Sequence, residues 1–199
     1  MLPRIVSLST CPATYTTLGY AVLYDGAIPA NADAQPGALE EFLAGTGLRA
    51  VLRNDAPRQA NPVALTDANL IAGIQLYSAH CSACHGTAAE NAAPSAIAKG
   101  EYPAPPQLAS AGVEDDPQGW TFWKIKHGIR WTGMPSWKYE LNDNQIWTLA
   151  LFLKHMDKLS AGPQAAWQDV GHSSPAASAP TTSDAASPGP SVNTLSTPE

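Results

Sequence analysis

The sequence predicts an all-α fold for a chain of 199 residues. No stretch alternates apolar and polar residues strictly enough for a half-buried strand, whereas several place apolar residues three and four apart behind recognisable helix caps. Many of the 18 prolines fall in the intervening loops, where a missing N–H costs nothing. A hydrophobic content of 44% suits one domain of about 100 residues with extensions.

Taken in order, residues 1–36 read as a degraded signal or membrane-anchor-like segment and linker. No charge lies between Arg4 and Asp25, and about 20 uncharged residues could cross a bilayer. Pro12 and six Ser or Thr residues dilute that run. Cys11 follows Leu8-Ser9-Thr10, a poor lipoprotein cleavage site, and is left as a free thiol without a role. Residues 37–65 hold an amphipathic helix with Leu39, Phe42, Leu43, Ala50 and Val51 on one face, interrupted by Gly45 and Gly47 and expected to pack on the main domain. A Pro-containing linker from Asp55 to Pro62 follows.

The main domain is expected over residues 66–159. Thr66 caps a helix carrying Leu70, Ile74 and Tyr77. Asp116 caps a second, with Pro117 at its first helical position, Gly128 just past its end, and Trp120, Trp123 and Ile125 inside. Asn142 and Gln145 make a capping box for a third, which carries Ile146, Leu149, Ala150, Leu153 and Met156. Residues 160–199, rich in Ala, Ser, Thr and Pro, read as a disordered tail.

At the end of the first of these helices stands Cys81-Ser82-Ala83-Cys84-His85. This C-x-x-C-H spacing is the attachment signature of c-type haem. Two thiols three residues apart lie on one helical turn and can form thioethers with two vinyl groups of a porphyrin, while the adjacent imidazole reaches the iron. A thioredoxin-like dithiol expects a βαβ setting that is missing here. A structural zinc site needs further ligands, and Cys11 and His80 are poorly placed to supply them. One covalent haem c, held through Cys81 and Cys84 with His85 on the iron, is therefore the expected cofactor.

The sixth iron position decides between electron transfer and chemistry at the metal. Met134 lies in Thr132-Gly133-Met134-Pro135-Ser136-Trp137, where glycine allows close backbone approach and proline keeps the methionine in an extended loop. Met134 is the expected ligand, with His127 as runner-up. Met156 falls late in an amphipathic helix and reads as core. Arg130 and Trp131 precede the ligand and are candidates to contact the haem. For Arg130 the contact would be with the propionates; for Trp131 it would be as a wall residue with a polar handle.

These motifs together resemble a single-domain class I cytochrome c, over roughly half the chain. The resemblance implies a cytochrome c fold with His/Met ligation and a crossing of the first and last helices, here Gly73 and Tyr77 against Leu149 and Phe152. It also implies that the second ring nitrogen of His85 bonds a backbone carbonyl in a Pro-x-Leu loop. Pro106-Gln107-Leu108 fits, which makes the Pro106 carbonyl the candidate partner. The implied function is electron transfer by a mono-haem cytochrome between respiratory or periplasmic redox partners, not enzymatic catalysis. A haem enzyme or gas sensor is the alternative if Met134 is labile or not a ligand. Attachment after export implies a bacterial periplasmic location, with membrane association through the N-terminus.

The formal net charge is -6, and residues 66–159 carry seven Lys or Arg against nine Asp or Glu, a difference of -2. Such a balance excludes a nucleic-acid binder. Lys124, Lys126, Arg130 and Lys138 surround the methionine loop, an arrangement that would steer an acidic redox partner toward a monomeric carrier.

Overall fold

The computed structural model describes residues 30–88 and 94–172 together with positions 20 and 24. Most of residues 1–36, including Cys11 and the signal-like run, and the tail beyond 172 lie outside the described residues. Among the described residues there are helices and 3-10 turns but no strand. The all-α fold expected from the sequence is what the described residues have.

Helix α1, Ala38–Asp55, runs unbroken through Gly45 and Gly47, so the interruption expected there is absent. It does not bury the apolar face assigned to it. Leu39, Phe42 and Leu43 are exposed, and only Leu52 near its C-terminal end is buried. The chain docks just beyond the helix instead. A Cβ on Gly119 would sit 1.9 Å from the Pro57 carbonyl oxygen, so the linker passes directly over a position where only glycine fits. Asn61 then donates from Nδ2 to the Trp147 carbonyl at 2.9 Å. No helix of the described residues is long and apolar enough to cross a membrane.

Helix α2, Asp67–His80, starts as expected: Thr66 accepts the Asn69 N–H at 3.2 Å. After Cys81 the chain turns into the short α3, Ser82–His85, and α4, Ala96–Gly100, follows. Helix α5 spans Gln118–His127 with Pro117 as its N-cap, one residue later than expected. Asp116 does not cap it because its carboxylate pairs with Lys124, while the Pro117 carbonyl accepts from Trp120 and Thr121. Helix α6, Asp143–His155, carries the capping box in full, with Asn142 and Gln145 bonded reciprocally at 3.0 Å.

Helices α2 and α6 cross at close range. A Cβ on Gly73 would lie 2.6 Å from the Phe152 Cβ and 2.8 Å from the Thr148 carbonyl oxygen. Tyr77, Phe152, Ile74, Ile146 and Leu149 are fully buried around this crossing.

The expected boundary at residue 159 is corrected by a further helix, α7, Ala161–His172. Its Trp167 is buried, with ring centroids 5.2 Å from Tyr77 and 5.1 Å from Phe152 in edge-on geometry. Pro163, Trp167 and Val170 recur at helical spacing along the face it turns to the core. Composition averaged over the whole Ala/Ser/Pro-rich stretch hides these few residues, and the domain extends to residue 172.

Candidate functional site

Helix α2 delivers the pentapeptide. The Cys81 N–H donates to the Tyr77 carbonyl at 2.8 Å, and the Cys81 carbonyl then accepts from Cys84 at 3.2 Å and His85 at 2.9 Å. Both sulfurs thus sit on one turn, as attachment to a single porphyrin requires. They form no disulfide. Burial, reinforced by Cys84, pushes the Cys81 thiol up to about 12. Burial and a hydrogen bond to Glu101 raise the Cys84 thiol as well. A redox-active dithiol needs a lowered thiol pKa, so both shifts run against the thioredoxin-like reading. Among the described residues no group of three or more His, Cys, Asp or Glu side chains is placed to hold a metal ion, which removes support for zinc there. His80 packs its ring on Trp137 at 5.1 Å.

The loop at 105–108 clasps His85. Its Nδ1 lies 2.9 Å from the Pro106 carbonyl oxygen. As the donor in that contact, Nδ1 carries the ring proton, leaving the Nε2 lone pair free for a metal. The Leu108 N–H donates to the His85 carbonyl at 3.1 Å, and Gln107 Nε2 donates to the Cys84 carbonyl at 3.1 Å. From the other side the buried Tyr77 hydroxyl reaches the His85 and Gly86 carbonyls at 3.1 and 2.9 Å. Gly86 makes room for the clasp: its φ is +79°, and a Cβ there would meet Gln107 Oε1 at 2.5 Å. Sequence reasoning named Pro106 through the resemblance. It missed Gln107 and the polar work of Tyr77, which was read only as packing.

Met134 is half-buried against the core, on a loop held at both ends. Ile129 donates its N–H to the Met134 carbonyl at 3.2 Å, and the Met134 N–H donates to Thr132 Oγ1 at 3.1 Å. Gly128, at φ +67°, closes the loop against α5, since a Cβ there would lie 2.7 Å from the Met134 carbonyl oxygen. His127, the runner-up, turns its ring onto Trp123 at 4.9 Å, and burial followed by Lys126 and Lys138 lowers its pKa.

Arg130 is exposed. Trp131, at φ 59° in the turn closed by the Thr132 N–H on the Ile129 carbonyl, has its side chain 90% exposed. The expected positive face is smaller than four cations. Lys124 pairs with Asp116, and Lys126 with Asp143 at 2.8 Å.

The donor set fits a c-type haem: two thiols on one turn, an imidazole with its outer nitrogen committed to a carbonyl, and a thioether on a clamped loop. Residues 68–153 match the family described as cytochrome c oxidase, cbb3-type, subunit III. These residues form a class I cytochrome c domain. No curated protein and no solved structure gives a match to the chain. A cytochrome c domain implies haem c and haem-based electron transfer, and the match covers α2, the attachment turn, the methionine loop and nearly all of α6. A cavity of about 990 Å³, lined by Leu52, Arg58, Pro117, Trp120 and His155 among others, involves none of the haem-site residues.

Proposed function

We propose that this cytochrome carries single electrons on one haem c, attached through Cys81 and Cys84 and ligated by His85 and Met134. The observation that carries the reading is the double clamp on the two ligand-bearing segments: Pro106 fixes the ring of His85, while Gly128, Ile129 and Thr132 fix the loop of Met134. Two protein ligands would keep the iron six-coordinate. The bound haem would supply the ferrous/ferric couple, with a potential raised by Met/His ligation. The chain's own residues hold the ligands and present the exposed edge.

Partner and location follow as parts of the same proposal. The matched family is named for an oxidase subunit, so a membrane oxidase is the proposed electron acceptor of a monomeric cytochrome in the bacterial periplasm, associated with the membrane through its N-terminal segment. Arg130 and Lys138, both exposed, together with the exposed rings of Trp131 and Tyr139, supply the proposed docking rim for an acidic redox partner. The haem enzyme or sensor reading would need Met134 to be labile, and a peroxidase would also need a distal acid/base, for which His127 is the candidate. The contact of His127 with Trp123 favours the carrier.

The test is an optical spectrum of the exported protein, after a haem stain that survives denaturing electrophoresis. A weak near-infrared sulfur-to-iron band in the ferric state is expected, and Met134→Ala abolishes it. A Met134→Ala spectrum identical to that of the wild type would overturn the ligation and return the enzyme or sensor reading.

A further inference from the structure

Glu101 lies where the two halves of the site meet. It is the C-cap of α4, whose N-cap Ser95 donates to the Ala83 carbonyl and accepts the Ala98 N–H, so α4 is pinned to the attachment turn. Its half-buried carboxylate then reaches both halves. Oε1 accepts from the Cys84 thiol at 3.4 Å, and Oε2 lies 2.5 Å from where a Cβ on Gly133 would stand. Gly133 immediately precedes Met134. Among the described residues no cation pairs with this carboxylate. A thioether has no proton to donate, so attachment at Cys84 removes the hydrogen bond that the thiol gives Glu101.

We propose that Glu101 is a positioning and tuning residue of the haem edge: its carboxylate, held between Cys84 and the glycine before Met134, sets an uncompensated negative charge beside the porphyrin and lowers the reduction potential. The physical reason is Coulombic, since a nearby negative charge favours the ferric state over the ferrous by more in a half-buried site than in water. Gly133 has a role in the same arrangement, because any side chain there would displace the carboxylate. This inference rests on the haem reading above and deepens it.

The test uses the exported holoprotein with Glu101→Gln and Glu101→Asp. Spectroelectrochemical titration should show a midpoint potential shifted upward in Glu101→Gln, with the sulfur-to-iron band unchanged, and a smaller shift in Glu101→Asp, which keeps the charge. Equal shifts in the two variants overturn the proposal. So does an unchanged potential in Glu101→Gln, or a rise that comes only with loss of the band, which would report altered Met134 ligation. A wild-type protein without covalent haem stain would instead remove the underlying haem reading.

Discussion

Tyr77 does two jobs with one side chain. Its ring is fully buried between Phe152 and Trp167, and its hydroxyl is shared between the carbonyls of His85 and Gly86. Burial raises its pKa far above the usual phenol range, so it remains a donor at any pH the protein meets. Tyr77→Phe keeps the packing and strips the donor. A loss of about 1–3 kcal/mol is expected, the cost of leaving buried acceptors unpaired, and denaturant unfolding of the holoprotein measures it. An unchanged midpoint would show that water replaces the hydroxyl. At this scale the local features were legible: the placing of Cys81, Cys84 and His85 on one turn follows from their spacing, and the loop of Met134 from its glycine and proline neighbours. Gln107 and Glu101 were not. Each acts on a residue far away in the sequence, and neither has a local pattern that sets it apart from any surface Gln or Glu.

At the scale of elements, the α2–α6 crossing holds the helix that carries the attachment turn against the core. Alanine at position 73 would gain up to about 1 kcal/mol of helix propensity, but its methyl has no space. The contacts it would meet at 2.6 and 2.8 Å include a backbone oxygen, which cannot swing aside. Gly73→Ala is therefore expected to cost about 1–3 kcal/mol net, read as a lowered melting temperature of the holoprotein. A neutral or stabilising result would mean the helices can separate without loss. Helix ends were read well from the sequence where a side chain caps them, as at Thr66 and Asn142. The start of α5 was misread by one residue because Lys124, a full two turns away, draws off the Asp116 carboxylate. Helix α1 was misread because periodicity reports an apolar face but not whether anything covers it.

Over the whole molecule, the cytochrome domain is completed by a segment whose composition argues against order. Helix α7 is tied to the start of α2 by Ser160, whose hydroxyl donates to Asp67 at 2.7 Å, and to its last turn by Trp167 against Tyr77. A chain ending after Leu159 loses that indole from the core. The expected cost is about 3–5 kcal/mol, comparable to a Trp→Ala change in a core, against a total stability of about 5–15 kcal/mol for a domain. Thermal unfolding of the shortened holoprotein should show a clear drop in midpoint. A midpoint equal to that of the full chain would relegate α7 to decoration. The fold class could be read from one chain because it rests on local spacing and caps. The outer limit of the domain could not, because a single buried tryptophan outweighs the polar average of its surroundings.

Trp167 also sets an order of events. It lies well after the pentapeptide in the chain, so during synthesis the thiols of Cys81 and Cys84 emerge before the indole that packs on Tyr77. Until α7 arrives, the contacts that Trp167 makes with Tyr77 and Phe152 are unmade, so the face of α2 and α6 that they cover is packed last.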